Sequence, residues 1–150
     1  MNLHIAYPEL KTFLNKTLNG TITIGKLEYV EENTIKARVK KSILAANAEL
    51  CLVELVGNDI VVDVQLSGLL GVARLGQNIL TKQRKDEETT LEKILDDAEM
   101  TGLVTIDEEN RSRLTVHLDK VEALAPVLEL LEIKKLSFEE SNVELIAELL

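Results

Sequence analysis

The side chains in this 150-residue chain suited to acid-base, nucleophilic or metal chemistry are few: His4, His117, a single Cys51 and a scatter of carboxylates. Neither histidine has a second histidine or a cysteine at ligand-like spacing, so no metal centre is predicted. His117 shares the alternation phase of Arg113 and Thr115, opposite Leu114, Val116 and Leu118, which predicts an exposed strand histidine rather than an acid-base group. Asp96, Asp97 and Glu99 fall mostly on the outer side of a predicted helix, as a solvated face does. Gly68, Gly71 and Gly76 form neither a dinucleotide fingerprint nor a phosphate loop, and no serine stands in a nucleophile elbow. The sequence therefore predicts no catalytic residue, no metal and no cofactor, and the expectation is a protein that is not an enzyme.

Binding surfaces remain. Lys36, Arg38 and Lys40 alternate with Ile35, Ala37 and Val39, so a strand there carries a basic stripe, extended by Lys41, opposite an apolar face. Such a stripe suits an acidic partner helix or lipid headgroups, and it equally suits cross-strand pairing with Glu28 and the acidic C-terminal half. The second surface is an apolar helix predicted from Leu69 to Leu80. Wound at about 100° per residue, it places Leu69, Leu70, Val72, Leu75 and Ile79 on an arc of roughly 220°, with Arg74 and Asn78 opposite. A helix so broadly apolar is buried on several sides. Either a sheet wraps it as core, or its surplus face meets an apolar ligand or a partner.

These surfaces must be positioned by the rest of the chain. Pro8 opens a helix through Leu18, with Leu10, Phe13, Leu14 and Leu18 on one face and Gly20 as its stop. From Thr21 the period becomes two, and the phase shifts between Ile24 and Leu27, so a bulge is expected near Gly25. Glu31-Glu32-Asn33 turns the chain into the basic strand. The run 49–56 is apolar on both phases, as in a central strand covered on both faces, with Cys51 packed inside it. Gly57-Asn58-Asp59 makes a hairpin into the strand 60–66. Thr89 to Glu92 forms a capping box for a helix ending before Gly102. Two strands follow around Asp107 to Asn110, then a helical segment 120–132 interrupted by Pro126, then a hairpin turning at 139–142. The two halves share an order of elements, with Glu31-Glu32-Asn33 and Glu108-Glu109-Asn110 as matching turns, as an internal duplication would leave.

The totals narrow the partners. A net charge of −9 opposes general nucleic-acid binding. That charge is uneven. Residues 1–50 carry seven basic and five acidic side chains (+2), residues 51–100 five and ten (−5), and residues 101–150 five and eleven (−6). Only 3% of residues are aromatic, too few for the stacking platforms that hold sugars or single strands. No secretory leader and no apolar run of about 18 residues is visible, so the expectation is a cytoplasmic protein with at most peripheral membrane contact, or an envelope protein if a leader or anchor precedes it.

The expected fold is a single α+β domain over 1–150: a strongly twisted antiparallel sheet of about seven or eight strands packed on three or four helices. The segments Ala6-Tyr-Pro-Glu-Leu-Lys-Thr-Phe-Leu14 and Ile133-Lys-Lys-Leu-Ser-Phe-Glu-Glu-Ser-Asn-Val-Glu-Leu145, with the hairpins between them, resemble small bacterial members of the tubular lipid-binding superfamily. That resemblance implies an apolar or lipid-like ligand held between the sheet and the 69–80 helix. The competing expectation is a protein-interaction module that forms homodimers through that surface or an edge strand.

Overall fold

A computed structural model describes residues 1–18, 20, 22–41, 44–70, 96, 102–110 and 112–150. The chain opens with strand β1 (Asn2–Ala6), which runs directly into helix α1 (Tyr7–Leu18). Pro8 sits in the first turn of α1 and Gly20, at φ 80°, turns the chain away, so the predicted bounds hold. Tyr7 is buried, and Leu10, Leu14 and Leu18 pack against the same core. Asn15 fastens α1 to the next strand, donating from Nδ2 to the Ile24 carbonyl (3.0 Å) and accepting the Ile24 N–H at Oδ1 (2.8 Å).

A four-strand meander follows: β2 (Thr23–Glu31), β3 (Thr34–Lys41), β4 (Leu44–Val56) and β5 (Asp59–Leu70). The register of β2 against β3 slips between Ile24 and Leu27, the expected bulge at Gly25. A Cβ on Gly25 would stand 2.9 Å from the Arg38 Cβ, so at this bulge β2 and β3 approach too closely for a side chain to fit without a shift. Asn33 closes the β2–β3 turn at φ 60°, a left-handed conformation that asparagine tolerates. Gly57, at φ 61°, turns β4 into β5.

Beyond β5 the sheet gains β6 (Val104–Ile106) and β7 (Arg113–His117), giving the order β2-β3-β4-β5-β7-β6. Between β6 and β7, Asp107 Oδ1 accepts the Glu109 and Asn110 N–H groups at 2.9 and 3.2 Å. A 3-10 turn (Leu118–Lys120) and a short helix α2 (Ala125–Leu128) lead to β8 (Leu131–Phe138) and β9 (Asn142–Leu149). These last two strands form a separate sheet of order β1-β9-β8, with Leu3 opposite Leu145 and Ile5 opposite Val143.

One aliphatic core joins both sheets. It draws on Tyr7 of α1, Leu27, Ile35, Ala37, Val62, Val64 and Leu114 of the larger sheet, and Phe138 and Val143 of the smaller. Asn33 links the sheets through the backbone as well. Its N–H donates to the Phe138 carbonyl (3.0 Å), its Oδ1 accepts the Phe138 N–H (3.0 Å), and its own carbonyl accepts the Leu52 N–H (2.8 Å).

The architecture is α+β, but it departs from the expected one in several places. Among the described residues there are nine strands in two antiparallel sheets and two α-helices, not one sheet on three or four helices. The strand Asn2–Ala6 is itself legible in the sequence, but its pairing with β9, from opposite ends of the chain, is what sets a second sheet apart, and no local pattern records such a pairing. Leu69 and Leu70 end β5 rather than opening a helix, because the ladder with β4 continues through Asn47–Ser67 to Ala45–Leu70. Val72, Leu75 and Ile79 lie outside the described residues, as does the predicted helix between the Thr89 capping box and Gly102 except for Asp96, which is helical and exposed. The run 49–56 is not covered on both faces: Cys51 and Val53 are exposed, because the outer side of the larger sheet is open there. The strand itself starts earlier, at Leu44. Ala46 and Ala48 are buried opposite Val39 and Ala37, and that burial overrides the poor strand propensity of alanine. The helical segment predicted at 120–132 is confined to the 3-10 turn and α2, and β8 has begun by Leu131. The halves also pair differently: the first makes a four-strand meander, while the second divides its strands between the two sheets.

Candidate functional site

Alternation gives the larger sheet two unlike faces. On the inner face, cross-strand rows such as Tyr29–Ile35–Leu50–Val64, Leu27–Ala37–Ala48–Leu66 and Ile24–Val39–Ala46 form a continuous aliphatic surface. In its middle Ala37, Ala46 and Ala48 keep the surface shallow, and all three are buried. Helix α1 packs chiefly on β2, at one end of this face.

The outer face is polar. Lys36, Arg38 and Lys40 project from β3 as predicted. Lys36 lies between Glu28 of β2 and Glu49 of β4, and Arg38 lies beside Asn47, its Nη1 donating to Oδ1 at 3.5 Å. Glu28 itself meets Lys26 at 3.3 Å. Lys36 and Arg38 thus lie beside acceptors on their own sheet, Glu28 among them as the sequence offered in alternative to an acidic partner, while Lys40 faces Thr23 and Ala45 and no described residue of the C-terminal half is in register with the stripe. Further across the face, Arg113 grips Asp63 through two atoms, Nε to Oδ1 at 2.9 Å and Nη2 to Oδ2 at 3.1 Å. The bonded guanidinium holds the Asp63 carboxyl below the usual carboxylate range.

At the β6 end, three polar side chains from three strands converge. Asp59 begins β5 and faces His117, the last residue of β7, in direct register. Asp59 Oδ1 lies 2.8 Å from His117 Nδ1, and His117 Nε2 lies 2.7 Å from the Thr105 Oγ1 of β6. A carboxylate only accepts, so Nδ1 carries the proton, and in the neutral ring Nε2 is left to accept the Thr105 hydroxyl. The strand ends around this chain are fixed by backbone bonds, His117 N–H to the Leu103 carbonyl (2.8 Å) and Leu118 N–H to the Asn58 carbonyl (2.9 Å). The three residues border an open depression of about 490 Å³ whose rim also includes Gly102, Val104, Asp119 and Lys120.

His117 is therefore not the exposed histidine its phase predicted: its side chain is 26% exposed and is bonded at both ring nitrogens. The phase itself was right, since Arg113, Thr115 and His117 do share the outer face. Sequence reasoning missed the partners because Asp59 lies 58 residues away and meets β7 only once β7 pairs with β5. His4 sits in the other sheet, with Nδ1 3.2 Å from Asn142 Oδ1, and shares no site with His117. Among the described residues no group of three or more potential metal ligands converges, and no helix is long and apolar enough to cross a membrane. Comparison with protein-family models, with curated proteins and with solved structures found no match to this chain.

Proposed function

We propose that the protein holds an apolar or amphipathic, lipid-like ligand against the aliphatic face of its larger sheet. The apolar segment that follows β5 in the sequence is the ligand's expected second contact. The carrying observation is the breadth of that face. It spans β2 to β7, with α1 packed chiefly on β2 and the smaller sheet bringing Phe138 and Val143 to the same core, and Leu66 continues it toward the apolar stretch 69–80. Leu69 and Leu70 enter this reading as the end of a strand, and Val72, Leu75 and Ile79 as the segment beyond it. Holding such a ligand needs no catalytic step.

Native mass spectrometry of protein purified from cells without detergent tests the reading, followed by titration with a fluorescent fatty acid. A co-purifying acyl species, or saturable uptake of the probe, is the expected result. A polypeptide that flies at its bare mass and takes up no probe overturns it. A second reading is self-association through β2, an edge strand of nine residues on which Tyr29 and Val30 are 36% and 47% exposed. A ligand-free dimer in the same spectrum would favour that reading.

A further inference from the structure

The convergence of Asp59, His117 and Thr105 is not used by ligand holding, and it lies on the opposite face of the sheet. We propose that Thr105 is a nucleophilic hydroxyl, activated by His117 and oriented by Asp59, that takes an acyl group from small activated esters. The geometry meets the requirement that a nucleophile and its base stand within hydrogen-bond reach while a third group orients the base: Oγ1 to Nε2 is 2.7 Å, and Nδ1 to Oδ1 is 2.8 Å. Each member sits on a strand rather than a free loop, so the sheet ladder holds the relay in place.

The surroundings favour reaction at Thr105 over its neighbours. Thr105 is exposed and borders the open depression, so a small ester can reach it. Lys120, on the same rim, supplies a cation for the charge that develops on the ester oxygen. Thr115, directly opposite Thr105 in register, has no imidazole partner among the described residues and serves as an internal control. Asp63, the other outer-face carboxylate on β5, is occupied by Arg113 and has no part in the relay.

The step balances without an external reductant or oxidant. Thr105 Oγ1 bonds to the ester carbonyl carbon as its proton passes to Nε2, and Asp59 stabilises the imidazolium that forms. The ester C–O bond then breaks, and the leaving alcohol takes that proton from Nε2. Water attacks the acyl-threonine next, its proton passing through Nε2 to Oγ1, which releases a carboxylic acid and restores the hydroxyl.

The test incubates the full chain with p-nitrophenyl acetate, follows p-nitrophenol release, and locates acetyl groups by tandem mass spectrometry. Acetylation is expected at Thr105 ahead of Thr115. His117→Ala should slow it at least about 100-fold, the lower end of what a positioned general base contributes. Asp59→Asn should slow it as well, because an amide can donate to Nδ1 and so favours the unproductive tautomer. Thr105→Val should abolish the label and Thr105→Ser should keep it; both are close in size to threonine and leave the imidazole in place. A label confined to lysines, one shared equally by Thr105 and Thr115, or one at Thr105 that survives His117→Ala would each overturn the proposal. None of these outcomes depends on whether a lipid-like ligand is found.

Discussion

Replacing Asn33 tests the link between the two sheets, and its cost follows from three observed features. Its side-chain oxygen is the acceptor for the Phe138 N–H, its backbone sits at φ 60°, and Phe138 is buried at 8% exposure. Asn33→Ala removes the acceptor and leaves a buried donor without a partner, which costs about 1–3 kcal/mol. It also forces a Cβ-bearing side chain with no local hydrogen bond into the left-handed region, at a cost of about 1–2 kcal/mol. The sum, about 2–5 kcal/mol, is a large share of the ~5–15 kcal/mol that holds a typical domain together. Asn33→Gly loses the same hydrogen bond but not the conformational strain, and instead adds about 0.4–1 kcal/mol of unfolded-chain entropy. It should therefore come out milder than the alanine variant, by roughly 0.5–1 kcal/mol. Asn33→Asp keeps an acceptor oxygen but joins Glu31 and Glu32 in one turn, so its loss should be the smallest, about 1 kcal/mol or less. Urea unfolding read by circular dichroism orders the three midpoints, with unchanged slopes marking a change in stability alone. Alanine and glycine variants that both match the parent, or an aspartate variant as weak as glycine, would refute the assignment.

Gly25→Ala should cost about 1–3 kcal/mol, because the new Cβ meets the Arg38 Cβ at 2.9 Å rather than a flexible side-chain tip. In urea titrations Arg38→Gly should recover part of that loss, whereas Arg38→Ala, which keeps the offending atom, should not; equal behaviour of the two would sink the explanation. The Asp63–Arg113 pair predicts an acid-side dependence. A carboxyl held low in the native state stabilises the fold above its unfolded value, near about 3.9, and that contribution is lost as pH falls through the native value. The deficit of Asp63→Asn at neutral pH should thus shrink progressively in urea titrations carried from that unfolded value down to the acid limit of folding. A deficit that stays constant down to that point would show that the ion pair is not its source.

Local features were legible in the sequence wherever a short-range rule governs them. Alternation placed Ile35, Ala37 and Val39 inward and Lys36, Arg38 and Lys40 outward, because successive strand residues point to opposite faces whatever the sheet's partners are. The turns at Gly20, Asn33 and Gly57 and the bulge at Gly25 followed from backbone permissiveness at single residues. The end of β5 was misread for the same reason in reverse. The apolar spacing around Leu69 fits a helix, but the hydrogen-bond ladder already running along β4 carried the strand to Leu70. Tertiary structure alone decided which strands became neighbours. The pairing of β1 with β9, the insertion of β7 beside β5 and the clamp of Asn33 on Phe138 are all contacts between distant segments, selected by burial of a shared core and leaving no periodic trace. The Asp59, His117 and Thr105 convergence belongs to that second class. The sequence determined that His117 faces outward, and only the choice of strand partners gave it a carboxylate on one side and a hydroxyl on the other.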